Sequence, residues 1–247
     1  MNHELSPEDL DQIKALLSSN QLENNEIVFS ILEGYGLIPS GVRNFFNNRY
    51  KYKIGEQKFR YQGGENILDI RVKRNNIYFY LNLNDLKLKE IPAEIGLIQN
   101  LKEINLSQNN LTSIPEELTN LKYVEKLSIA YNKNIHTDCF QIIQKFRQLK
   151  VLNISGCSLT SFPEELLDMK GLEVIYLESN MLTTLPSEIS QLENLYYLDL
   201  SRNCFSKFPY QLYNTPSLET LLMEYNRFTP AQIVALKRSK KKIKIKF

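Results

Sequence analysis

Between Tyr78 and Pro230 the chain repeats one pattern, with apolar residues at positions 1, 4, 6 and 11 of each unit and an asparagine usually at position 9. The copies begin at Tyr78, Leu101, Val124, Leu149, Leu172, Leu195 and Leu218, so the steps are 23, 23, 25, 23, 23 and 23 residues. Positions 4 and 6 carry Leu81 and Leu83, Ile104 and Leu106, Leu127 and Ile129, Leu152 and Ile154, Ile175 and Leu177, Leu198 and Leu200, then Leu221 and Met223. Apolar residues one place apart point the same way from an extended strand. Such short strands bury that face only by stacking on the equivalent strand of the next unit, which predicts a parallel sheet. After position 11 a second apolar series has period three, as in Pro115, Leu118, Leu121 and Val124, or Pro186, Ile189, Leu192 and Leu195. That period suits a 3₁₀-like return, and the proline at its start stops the extended segment.

The recurring asparagines are Asn109, Asn132, Asn180, Asn203 and Asn226. A buried amide in the bend after each strand can donate to and accept from the backbones of neighbouring turns. Unit one has Leu86 at this place and unit four has Cys157. An unpaired buried backbone group costs about 1–3 kcal/mol, so those two bends are expected to be bonded differently or to reach water.

Copies such as LKEINLSQNNLTSIP from Leu101, LEVIYLESNMLTTLP from Leu172 and LYYLDLSRNCFSKFP from Leu195 resemble the leucine-rich repeat proteins. The 23-residue step and the Ile-Pro or Leu-Pro after position 11 are similar to the cytosolic Ras-group and bacterial type. The resemblance implies an α/β fold, a horseshoe-shaped solenoid with parallel strands lining its concave side, and a role in binding other proteins. Leu86 and Cys157 depart from the family pattern, as does unit three, where NKNIHTDCFQIIQKFRQ replaces the usual return. There Thr137 or Asp138 is the expected N-cap of a helix with Phe140, Ile143 and Phe146 on one side.

Residues 1–54 lack the repeat and read as a helical N-terminal cap. Its first helix starts at Ser6, Pro7 and Asp9, with Leu10, Ile13, Leu16 and Leu17 as its apolar side; further segments run over about 24–33 and 39–50. Residues 55–77 alternate as a β-meander leading into the first repeat strand, and 78–230 form the seven repeats. Residues 231–247 read as a helix followed by a strand in which Ile243, Ile245 and Phe247 alternate with lysines, a basic C-terminal cap.

Composition is that of an ordinary globular domain, 43% apolar and 23% charged. The net charge of +2 hides an asymmetry: residues 237–247 carry seven positive charges and no negative ones, leaving −5 on the first 236. No long apolar run and no basic leader followed by an apolar stretch is seen, and the three cysteines lie in different repeats. The expected location is the cytoplasm, an exported form staying open if a leader is removed.

Motifs for catalysis are wanting. The histidines are His3 and His136, no cysteine–histidine cluster has metal-ligand spacing, and no phosphate-binding glycine loop precedes a helix. Cys204 sits beside Asn203 on a turn, yet no histidine falls in phase with it to act as a base. No catalytic residue, metal, cofactor or small-molecule substrate is therefore expected.

Specificity then belongs to positions 3, 5, 7 and 8, which face away from the core or lie at the edge of that face. Units two to four place mostly small polar groups there. Units five to seven place Val174, Tyr176, Glu178, Tyr197, Asp199, Arg202, Leu222, Glu224 and Tyr225. Aromatic residues beside charges suit a protein interface, and the partner expected is another protein offering a basic and apolar segment. Alternatively, tyrosine simply suits strands and these rings stack on one another across repeats. A rival reading puts binding of nucleic acid or an anionic membrane at the basic C-terminus and at Arg43, Arg49, Lys51, Lys53, Lys58 and Arg60. The carboxylates Glu103, Glu178, Asp199 and Glu224 argue against it. An exported effector or adhesin would use the same face on a foreign protein.

Overall fold

The computed structural model describes residues 6–18, 30–32, 34–35, 68–73, 76–98, 101–238 and 243–247. The helical segment expected at 39–50, most of that at 24–33, the start of the meander and the basic residues from Arg43 to Arg60 lie outside this set. The chain divides into two compact units, one holding residues 1–83, 91–104 and 115–124 and the other 84–90, 105–114 and 125–247.

In the first unit, helix α1 (Pro7–Ser18) begins with a reciprocal cap. Ser6 Oγ accepts the Asp9 N–H at 3.1 Å while its hydroxyl donates to the Asp9 carboxylate, which Tyr35 OH also reaches. These two hydroxyls, Ser6 first, hold the Asp9 carboxyl below its ordinary range. Ile13 on α1 is buried, as is Leu32. Strands β1 (Leu68–Lys73) and β2 (Asn76–Asn82) pair antiparallel, from Leu68 opposite Leu81 to Lys73 opposite Asn76. Strand β3 (Leu101–Asn105) buries Leu101 and Ile104. The returns Ala93–Leu97 and Glu116–Asn120 are 3₁₀ turns, each entered from an extended proline. They approach so closely that a Cβ on Gly96 would lie 2.2 Å from Glu117 O, which is why glycine stands there.

The second unit is built of parallel strands in chain order: β4 (Lys126–Ser128), β5 (Val151–Asn153), β6 (Val174–Tyr176), β7 (Tyr197–Asp199), β8 (Thr220–Leu222) and β9 (Lys244–Lys246). The register pairs like positions of successive repeats, so the position-4 residues Leu127, Leu152, Ile175, Leu198 and Leu221 form one buried row. The returns Glu164–Asp168, Ser187–Gln191 and Tyr210–Asn214 are again 3₁₀ turns that follow Pro163, Pro186 and Pro209. In unit three the return is helix α2 (Cys139–Ile143), with Phe140, Ile143 and Phe146 buried as expected. Its cap differs from expectation. Asp138 occupies the N-cap place but is itself helical (φ −57°, ψ −22°), so its side chain makes no capping bond. Helix α3 (Pro230–Arg238) is opened by Thr229 and Gln232, each accepting the other's N–H, and β9 closes the unit with Phe247 edge-on to Phe228 at 5.6 Å.

The asparagines tie successive bends together. Asn180 Nδ2 donates to Leu177 O and to Ile154 O of the preceding repeat, both at 3.0 Å, and its Oδ1 accepts N–H groups of that repeat. Asn109, Asn132, Asn203 and Asn226 make bonds of the same kind. The two departures are resolved by a second acceptor bond from the next repeat. Asn109 Oδ1 takes both Leu86 and Leu88 N–H, and Asn180 Oδ1 takes both Cys157 and Leu159 N–H, all at 3.0 Å. The Cys157 thiol stands in for the missing amide donor, reaching Ile129 O at 3.4 Å. In these same two bends the backbone turns left-handed at position 10, with Lys87 at φ +56° and Ser158 at φ +58°.

Position 8 is left-handed in every repeat: Asp85, Gln108, Tyr131, Gly156, Ser179, Arg202 and Tyr225 all have φ between 54° and 63°. Only unit four uses glycine for it, and there Tyr131 of the preceding repeat lies where a Cβ would be, 2.3 Å from that position.

Candidate functional site

The register of β6 to β9 lays the outward positions into two rows. Position 3 gives Val174, Tyr197, Thr220 and Lys244; position 5 gives Tyr176, Asp199, Leu222 and Lys246. The rings of Tyr176 and Tyr197 lie 5.4 Å apart with a 51° tilt. Thus the structure brings these two together, and stacking accounts for part of their presence. Burial raises the Tyr197 phenol above its ordinary range, and Asp199, Tyr176, Glu178 and Glu224 add to the effect in that order. The negative charges of Asp199, Glu178 and Glu224 thus act on this tyrosine, after its burial.

At the edge of the face, Arg202 bridges two repeats. Its Nε lies 3.2 Å from Glu178 Oε1, and its Cζ sits 4.4 Å from the ring centroid of Tyr225. The left-handed backbone at Arg202 and Tyr225 aims both side chains along this edge, where Tyr225 is 73% exposed.

Two expected anchors stand differently. Val174 is not solvent-exposed: only 7% of it is accessible, because Val151 and Tyr197 flank it in register on either side. Asp199 is 8% exposed, and its Oδ1 accepts the Ser201 N–H at 2.9 Å. Asn105 and Asn153 bind Ser107 and Ser155 N–H in the same way, so the acid at position 5 also fastens its own turn. Leu222 and Glu224 are half-buried. Lys244 and Lys246, read from sequence as part of a basic cap, continue the two rows: Ile245 lies opposite the core residue Leu221, so the exposed lysines share the outward side with Thr220 and Leu222.

Nothing in the thiols suggests a nucleophile. Burial pushes Cys139 up to about 12 and Cys157 up to about 11, the reverse of activation. Cys204 is half-buried. A thiol-directed reagent at mildly alkaline pH is expected to label Cys204 rapidly and Cys139 and Cys157 only after unfolding; rapid labelling of all three would contradict the described packing. Among the described residues no His, Cys, Asp and Glu side chains group as a metal site. Two hollows of about 480 and 570 Å³ are lined by Gln108, Tyr131 and Lys133 and by Glu173, Tyr196 and Glu219, none of them among the residues of β6 to β9. Among the described residues no helix is long and apolar enough to cross a membrane.

Comparison with known proteins agrees with this geometry. Leucine-rich repeat family models match residues 100–121 and 147–205. Internalin C2 of Listeria monocytogenes is similar in structure, with TM-score 0.52 and 23% identity over 67% of this chain and 69% of that one. That likeness shows the fold. A leucine-rich repeat protein of Leptospira interrogans matches with TM-score 0.45 and 25% identity over 65% of this chain, which spans about half of that protein's length (52%). The Arabidopsis receptor kinase HAESA, solved with the peptide hormone IDA and the co-receptor SERK1, matches with TM-score 0.46 and 29% identity over 60% of this chain and 25% of its own. With seven units in phase, parallel strands in like-to-like register, an asparagine tie between bends and two matching family models, the chain carries leucine-rich repeats.

Proposed function

We propose that this chain is a non-enzymatic protein-interaction module, a cytoplasmic adaptor or binding protein that holds a segment of its partner on the outward face of β6 to β8. Leucine-rich repeat proteins generally mediate contacts between proteins. The observation that carries the reading is the tilted Tyr176–Tyr197 pair set among Asp199, Glu178 and Glu224 with Leu222 beside it. A preordered aromatic pair loses little freedom on binding, and the carboxylates favour a partner with basic as well as apolar side chains.

Affinity capture from a native lysate at two salt concentrations, with the Tyr176→Ala, Tyr197→Ala double variant as control, tests it. A protein retained by the unaltered chain at both salts and bound about ten-fold or more weakly by the variant is the expected result, since buried aromatic anchors carry about 2 kcal/mol each. Equal retention by both forms overturns the site. Nucleic acid or lipid held equally by both forms at low salt alone transfers the function to the basic C-terminus.

A further inference from the structure

The outward face changes sign within two strands. On the position-5 row, Asp199 of β7 stands opposite Leu222 of β8, which stands opposite Lys246 of β9. On the position-3 row, Tyr197 is followed by Thr220 and then Lys244. Glu178 is already engaged by Arg202 at 3.2 Å, so the negative pole is the largely buried Asp199, whose Oδ1 also accepts the Ser201 N–H, together with the half-buried Glu224. The positive pole is the exposed pair Lys244 and Lys246. Two interstrand spacings separate the poles, about 10 Å, with an apolar side chain between them.

We infer that this face binds an extended peptide segment of another protein that is itself bipolar. The segment crosses the strands and places a basic side chain at Tyr197 and Asp199, an apolar one at Leu222, and an acidic one at Lys244 and Lys246. At about 3.3 Å per extended residue, the basic and acidic side chains lie about three residues apart. A uniformly basic segment would meet the two lysines and be repelled, and a uniformly acidic one would meet Asp199 and Glu224. The polarity therefore selects both the sequence and its direction along the sheet. This inference rests on the peptide-binding face proposed above and adds the second pole to it.

The test is selection of a random peptide display library on the full chain, followed by affinity measurement of the selected peptides. Enrichment of a basic residue about three places from an acidic one is expected. Those peptides should bind the Lys244→Glu, Lys246→Glu variant at least about five-fold more weakly, with binding regained when their acidic residue is replaced by lysine. Ile245 is untouched in that variant, and an unchanged melting temperature verifies its fold. Peptides that lose binding to the Tyr176→Ala, Tyr197→Ala variant but bind the lysine variant unchanged overturn the bipolar inference and leave the face intact. Peptides indifferent to the tyrosine variant, or no enrichment over it, overturn the face and the inference together.

Discussion

Asn180→Ala is expected to lower the unfolding free energy by about 4 kcal/mol, about twice the loss for Asn203→Ala, although the two amides are equally buried. The difference comes from the repeat that precedes each. Removing the Asn180 side chain deprives both Cys157 N–H and Leu159 N–H of their acceptor and Ile154 O of its amide donor. Leu177 O keeps a donor in Asn203 Nδ2. Removing Asn203 deprives only Leu182 N–H of its acceptor, because Leu177 O keeps Asn180 and Leu200 O keeps Asn226. Asn180 carries the extra bond because unit four has Cys157 where an asparagine would otherwise stand. Denaturant unfolding of both variants decides the point: equal losses would mean that the bend around Cys157 finds another acceptor, and the double-acceptor arrangement would then contribute nothing.

The apolar positions of the repeats were readable residue by residue. Each position-4 and position-6 residue of units three to seven is buried, and the prolines mark the entry to 3₁₀ turns because a fixed φ and a missing N–H end the extended segment there. The left-handed bend at position 8 was not readable. Its occupants are Asp85, Gln108, Tyr131, Gly156, Ser179, Arg202 and Tyr225, and among these only Gly156 hints at positive φ. The bend recurs in units one and four, where Leu86 and Cys157 replace the asparagine, so it belongs to the turn shared by all the repeats rather than to the local preference of the residue at position 8. The face was half legible. Strand alternation gave the side on which Val174, Tyr176 and Tyr197 project, but the burial of Val174 depends on the width of Val151 and Tyr197 beside it. The contact of Arg202 with Glu178 and Tyr225 joins three repeats and needs their register. Lys244 and Lys246 fall after the repeat pattern ends, so only the pairing of β8 with β9 shows them continuing the rows.

Leu177→Ala is expected to cost about 3–5 kcal/mol, the upper part of the range for large-to-small changes in a packed core. Leu177 is fully buried at position 6 of unit five, its N–H donates to Asp199 O, and its carbonyl accepts from both Asn180 and Asn203. A cavity there loosens the backbone that joins unit five to unit six, and in a linear array each repeat is stabilised mainly by its neighbours. Hydrogen exchange should therefore show lost protection at Ile154 N–H and Leu200 N–H in the adjacent repeats as well as in unit five, whereas loss confined to residues 172–182 would mean the repeats are energetically independent. The consequence reaches the proposed binding face. Tyr176, the last residue of β6, precedes Leu177 directly and projects to the opposite side, so the position of the Tyr176 ring against Tyr197 depends on how firmly Leu177 is held. In this variant, partner affinity is expected to fall even at temperatures where the chain remains folded. Unchanged affinity would show that the core holds the fold without setting the geometry of the face.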